Sequence, residues 1–215
     1  LFDGVGEYRV EVIEIFKTPI FVKSTKLSIA ELKEIKEECL KLRLVDSGQK
    51  LSNVNGWHSK ADLFSQNGKT FPIVKQEIIN SANSMIELLS GGNCVKNLIW
   101  KGQGWINIST SNDLNAPHDH PGFQWSGVLY ISIPEDIDGS DGQIEFLDPR
   151  NSVYNTAGRI SELQQYFASN IKIKPNNGTI ILFPSYLRHW VYPHKSIKER
   201  ISIAFNLNQE VGKIR

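Results

Sequence analysis

Eight short segments constrain this chain more than anything else in it. VKNLIWKG, GWINIST, WSGVLYISIP, GQIEFLDP, IKIKP, GTIILFP, HWVYP and RISIAFNLN follow one another between residues 95 and 208. Each is rich in β-branched or aromatic residues, and each is bounded by Gly, Pro or Asn, which is how short strands are written. Seven or eight strands at such close spacing leave no room for the helices of βαβ units. They predict a sandwich or barrel. One insertion interrupts them, RNSVYNTAGRISELQQYFASN over 150–170, with a short helix expected from Ile160 to Ala168.

The first 93 residues read differently. YRVEVIEIFKTPIFVKS alternates apolar and polar residues and predicts two short strands broken near Pro19. SIAELKEIKEECLKLRL opens with Ser28 and has Glu31 three places on, a capping box that starts a helix. A second helix is expected after Pro72, through IVKQEIINSANSMIELLSGG, with Gly91 and Gly92 stopping it. The expected fold is mainly β with α additions: one domain over 1–215, in which strands and helices of 1–93 support a double-sheet core in 94–215.

Charge narrows the partners. Lys plus Arg number 24 against 23 Asp plus Glu, giving a net charge of +1. With no basic stripe there is no electrostatic footprint for nucleic acid. Cys39 and Cys94 lie far apart with no metal-type spacing, as expected of thiols in a reducing compartment. No apolar run approaches the roughly 20 residues of a membrane helix. A cytoplasmic protein with no membrane partner is the expectation.

The chemistry concentrates in NAPHDHPGFQWSGVLYISIP. Residues two apart on an extended strand share a face, so His118 and His120 should converge while Asp119 points away. Two imidazoles so placed suit a metal ion, and a third ligand must come from elsewhere. HWVYPHK offers His189 at a strand margin, and His194, which follows Pro193 in a lysine-containing turn and reads as solvated. ERISIAFN sets Arg200 and Ser202 on one strand face, where a guanidinium with a neighbouring hydroxyl can grip a carboxylate. Any one of these taken alone has a plainer explanation: a surface histidine, or an Arg200–Glu199 ion pair.

Taken in order, HDHPGFQWSGVLYISIP, GQIEFLDPR, GTIILFPSYLRHWVYP and ERISIAFN resemble the iron(II)- and 2-oxoglutarate-dependent oxygenases. The resemblance is nearest to a group from bacteria and marine phages with HxHPG, FPSWLxH and ERISxxFN-like motifs, and GWHSKADLF and GWINIST share it. It implies a double-stranded β-helix (jelly roll) with iron(II) in the mouth of the barrel, and 2-oxoglutarate and O2 as cosubstrates. By position it assigns His118 and His189 to the metal, and Arg200 with Ser202 to the distal carboxylate of 2-oxoglutarate. His120 stands where the wider superfamily has Asp or Glu. Strand parity favours a three-histidine set, unless a bulge turns Asp119 inward as the alternative third ligand.

The implied reaction is hydroxylation of a protein residue or small molecule, with release of succinate and CO2. Ser126 and Tyr130 are further candidates for the carboxylate, and Asn107 for the cavity wall. Trp57, His58, Ser59, Trp125 and Trp190 are candidates for the prime substrate, although aromatic packing explains the tryptophans equally well. Two alternatives stay open: a zinc enzyme (hydrolase or lyase) using the same three histidines around an activated water, and a non-catalytic β-sandwich binding module.

Overall fold

The computed structural model describes residues 11–92, 98–150 and 170–212. The chain opens with strand β1 (Phe21–Ser24), helix α1 (Ile29–Val45), two-residue strands β2 (Asn53–Val54) and β3 (Trp57–His58), and helix α2 (Thr70–Leu89). Eight strands follow: β4 (Leu98–Ser109), β5 (Leu114–His118), β6 (Trp125–Ser132), β7 (Ile144–Leu147), β8 (Asn170–Ile173), β9 (Thr179–Pro184), β10 (His189–Val191) and β11 (Arg200–Val211). They form two antiparallel sheets in the orders β1-β9-β6-β11-β4-β3 and β2-β5-β10-β7-β8. Without the short edge strands β1, β2 and β3, these are two interleaved four-stranded sheets, β9-β6-β11-β4 facing β5-β10-β7-β8. That is the double-stranded β-helix expected from the motifs.

Sequence alternation sorts the residues of the larger sheet. On β11, Ile201, Ile203, Phe205 and Leu207 turn outward and are fully buried. There they pack with Ile106 and Ile108 of β4, Leu129 and Ile131 of β6, Ile35 and Cys39 of α1, and Val74, Ile78 and Met85 of α2. Each such apolar side chain contributes roughly 1.5–3 kcal/mol by leaving water. The opposite parity, Arg200, Ser202, Ala204 and Asn206, faces the barrel interior. A second cluster of Val128, Tyr130, Ile144, Phe146, Ile181, Phe183 and Leu187 fills one side of that interior.

The capping box is present: the Ser28 hydroxyl accepts from Glu31 N at 3.2 Å, and the Glu31 carboxylate accepts from Ser28 N at 2.8 Å. Helix α2 starts two residues before Pro72, which its first turn accommodates because an N–H there needs no helical partner. It ends at Gly91 and Gly92, both at positive φ.

Two expectations need correction. Of the two expected N-terminal strands, the second forms; in the first, residues 8–10 lie outside the described residues, and Val12, Ile13, Ile15 and Phe16 are exposed and outside any strand. VKNLIWKG and GWINIST are not two strands but parts of the single strand β4. The glycine that suggested a break, Gly102, is there for space: a Cβ on it would lie 2.1 Å from the Asn206 carbonyl oxygen of β11. The expected helix at Ile160–Ala168 and Cys94 lie outside the described residues. Among the described residues, no helix is long and apolar enough to cross a membrane.

Candidate metal centre and carboxylate pocket

His118 is the last residue of β5 and His189 the first of β10, and the two are paired across the sheet. His120 lies two residues beyond the end of β5, held by a hydrogen bond from its backbone N–H to the Ser185 carbonyl at 3.0 Å. The three imidazoles meet. Their ring centroids are 4.4, 4.9 and 5.3 Å apart, and one nitrogen from each lies within 4.8 Å of the others. Asp119, between them, is exposed.

Hydrogen bonds decide which nitrogens are free. His118 Nδ1 donates to the Ala116 carbonyl at 2.7 Å, and His189 Nδ1 donates to the Leu187 carbonyl at 2.9 Å. Each Nε2 therefore carries a lone pair, the usual way in which a protein presents histidine to a metal. Burial keeps the rings neutral. It pushes the His189 pKa down to about 3 and that of His120 to about 4, in both cases reinforced by neighbouring His118, and it lowers His118 as well. Three neutral nitrogen donors suit a divalent first-row ion, which binds imidazole only in its unprotonated form.

The opposite wall is polar at consecutive even positions. His58, Asn107, Ser202 and Tyr130 form one cross-strand row over β3, β4, β11 and β6. Arg200, paired with Ser109, stands one step toward the closed end. Trp105, in the row on the other side, lies 5.7 Å from His120 and stacks on His58 at 5.4 Å. From Ala204, in the Trp105 row, to Arg200 is four residues, or about 13–14 Å along a strand. The metal-type cluster and the guanidinium thus occupy different depths of one barrel.

Arg200 is 3% exposed, yet its Nε has no hydrogen-bond partner, and neither do the buried Tyr130 hydroxyl and Asn107 Oδ1. The guanidinium carbon lies 5.1 Å from the Tyr130 ring centroid. A buried guanidinium N–H and a buried hydroxyl without geometric partners among the described residues are costly, and a carboxylate placed between them would satisfy both. The residues present therefore fit a metal ion and a dicarboxylate together.

Other candidates fall elsewhere. Ser126 is buried in the interior, but its hydroxyl donates to Asn206 Oδ1 at 2.7 Å. Ser59 serves the backbone, accepting from Ile106 N at 2.9 Å. Trp57 and Trp125 pack against the helix-side core, and the Trp57 Nε1 donates to the Asp46 carbonyl at 2.9 Å. Trp190 faces out of the smaller sheet, donating to Glu145 Oε2 at 2.6 Å. Of the five substrate candidates, His58 alone joins the imidazole cluster, through Trp105. His194 is a correction: it is 1% exposed, not solvated. Trp105 was missed, although it shares strand parity with Asn107 in GWINIST.

The fold is a double-stranded β-helix whose barrel holds a three-histidine cluster that could bind a metal ion and, at another depth, a buried guanidinium. Residues 103–206 match the family model described as "Putative 2OG-Fe(II) oxygenase". Over that segment, just under half of its length, the chain is similar to the iron(II)/2-oxoglutarate oxygenase superfamily. Its fold is similar to that of the viral collagen prolyl hydroxylase of Paramecium bursaria Chlorella virus-1 (TM-score 0.54, 16% identity, 89% of this chain and 96% of that one). It is also similar to a Pseudomonas putida prolyl-4-hydroxylase (TM-score 0.56, 12% identity, 89% and 92%). A third similar structure is the alpha-ketoglutarate-dependent carbocyclase SnoK from nogalamycin biosynthesis (TM-score 0.62, 9% identity, 88% and 79%). No curated sequence matches the chain at a significant level.

Proposed function

We propose that this chain is a 2-oxoglutarate-dependent dioxygenase that hydroxylates a C–H bond of a protein residue or small molecule. The carrying observation is the convergence of three neutral imidazoles in the same barrel as a buried guanidinium whose Nε has no hydrogen-bond partner among the described residues. His118, His120 and His189 would hold iron(II) through nitrogens freed by the backbone bonds described above. Arg200, Ser202 and Tyr130 would take the distal carboxylate of 2-oxoglutarate, with Asn107 beside its chain. When bound, the iron and cosubstrate supply oxygen-dependent oxidation, with release of succinate and CO2.

The protein's own part is to bind and orient. Arg200 fixes the direction of the diacid, because only one of its ends can reach the cation while the other faces the histidines. Trp105, Phe146 and Phe183 ring the imidazoles with apolar surface and keep water away. His58, stacked on Trp105, presents its Nε2 because Nδ1 is committed to the Ser59 carbonyl at 2.6 Å. That places a polar atom beside the histidines for the prime substrate. Hydroxylation is favoured over the ring closure named for SnoK because two of the similar folds are prolyl hydroxylases.

One observation favours a second reading. Three imidazoles without a carboxylate also form a site at which zinc lowers the pKa of a bound water to about 7. The test is anaerobic titration of the metal-free protein with iron(II) and then 2-oxoglutarate, followed by an assay of succinate formed in air without prime substrate. A visible charge-transfer band and succinate support the oxygenase. Zinc retention with no response to 2-oxoglutarate would overturn it.

A further inference from the structure

His194 belongs to no function assigned so far, and its surroundings are unusual. It follows β10, and its backbone is fixed by a parallel bridge to Ser111 and a hydrogen bond from Asn112 N to its carbonyl at 2.8 Å. The preceding Pro193 carbonyl accepts from Gly142 N at 3.2 Å. These contacts draw a turn that reads as solvated into the closed end of the barrel. There His194 Nε2 lies 3.4 Å from the Ser109 hydroxyl, and Ser109 is the residue directly paired with Arg200. His194 Nδ1 is buried and has no partner.

The closed end therefore gathers three polar groups with unmet hydrogen-bonding capacity: His194 Nδ1, Arg200 Nε and the Tyr130 hydroxyl. Burial, with the Arg200 charge next in weight, holds the His194 pKa below its ordinary value, so the ring is neutral near pH 7. When the Ser109 hydroxyl donates to Nε2, the single ring proton sits on Nδ1. All three atoms are then donors without a geometric hydrogen-bond partner among the described residues, although the Tyr130 hydroxyl and the Arg200 guanidinium also attract each other. One carboxylate has lone pairs enough for all of them.

We propose that His194 is a third donor to the distal carboxylate of the cosubstrate, beside Arg200 and Tyr130. It makes the pocket selective for a diacid over a monoacid of the same length. This rests on the 2-oxoglutarate reading above. Arg200 supplies charge and His194 supplies direction, since its main chain is fixed by the bridge to Ser111 and the bond from Asn112 and its Nε2 faces the Ser109 hydroxyl.

The test measures calorimetric binding of 2-oxoglutarate and of 2-oxopentanoate, which has the same chain length without the distal carboxylate, to zinc-loaded protein. His194→Leu and His194→Phe remove the donor by different shapes, and His194→Asn keeps one near the Nδ1 position. Each folded apolar variant should bind 2-oxoglutarate about 10-fold or more weakly, as expected for a hydrogen bond to a charged group. The asparagine variant should recover most of that loss, and 2-oxopentanoate should bind all variants alike. Apolar variants that bind 2-oxoglutarate like wild type would overturn the proposal. So would an equal loss for both ligands, which marks a purely structural role. If wild-type protein binds no 2-oxoglutarate at all, the cosubstrate reading falls and this inference with it; wild-type binding with indifferent variants sinks only the role of His194.

Discussion

Replacing Arg200 with methionine should stabilise the ligand-free protein while destroying its affinity for the diacid. Arg200 is buried and forms no ion pair among the described residues. Its favourable partner is Tyr130, whose ring at 5.1 Å gives a cation–π contact worth about 0.5–2 kcal/mol and whose hydroxyl oxygen also attracts the guanidinium. Against that stands the effective penalty for holding a cation out of water, several kcal/mol per ion. Methionine matches the length of the stem, carries no charge and adapts to irregular gaps. The balance predicts a gain of about 1–3 kcal/mol, by analogy with apolar replacements of buried charges. In a chain of this size each kcal/mol raises the melting midpoint by about 2–4 °C. Binding moves the other way. Removing one member of a desolvated charge pair costs about 2–5 kcal/mol, a loss of roughly 30-fold to several thousand-fold. The assay is a thermal melt of wild type and Arg200→Met, each with and without 2-oxoglutarate at fixed zinc. Wild type should melt lower alone but gain a large shift with ligand; the variant should melt higher and gain none. A variant that melts several degrees lower, yet keeps the ligand-induced shift, would refute the reasoning and make Arg200 a structural cation.

The imidazole set makes a second prediction: His120→Ala should lose bound metal by elemental analysis, whereas Asp119→Ala should retain it, and the reverse pattern would put the carboxylate on the ion. The pH dependence of the metal-free protein follows from the depressed histidines. The unfolded chain takes up protons near the ordinary histidine pKa of 6.5, while folded His120 and His189 hold out to about 4 and about 3. Their stability contribution is complete above pH 6.5 and lost progressively as pH falls through those folded values. Urea midpoints should decline between pH 6.5 and 5, before carboxylates titrate, and His189→Phe should flatten that decline. Gly127→Ala should destabilise by about 1–3 kcal/mol through overpacking. Its Cβ would lie 2.3 Å from Phe205 Cζ and 2.6 Å from the Ile181 carbonyl oxygen, so an unchanged denaturation midpoint would contradict the packing described.

Local rules explain what the sequence disclosed. The two-residue strand period aligns Arg200 with Ser202 and anticipates the meeting of His118 and His120, although β5 ends at His118 and the bond from His120 N to Ser185 holds the second ring in place. His189 needed the family motif, because no local rule says that β10 will lie beside β5. His194 was misread for the same reason. Pro193 and Lys195 suggest a solvated turn, and only the distant bridge to Ser111 reverses that. The N-terminal segment failed in the opposite sense: YRVEVIEIF carries the alternation of a strand, but residues 11–16 of it pair with no strand among the described residues. Gly102 misled because a glycine needed for clearance between adjacent strands looks, in one dimension, like one needed for a turn. Trp105 carried a usable signal in its parity with Asn107, and only the preference for polar candidates hid it.

The position of β11 sets which end of the pocket can move. It is hydrogen-bonded on both sides, over 12 residues to β4 and 7 to β6, and it is flanked by helices on its outer surface. Its amide protons should be among the slowest in the molecule to exchange with deuterium. Arg200 and Ser202 ride on that strand, whereas His118 and His189 sit where β5 and β10 terminate and His120 lies beyond a strand end. On the function proposed above, the receptor for the diacid would ride on a strand paired along both of its edges. Any rearrangement that accompanies the arrival of a substrate is carried by the imidazole rim.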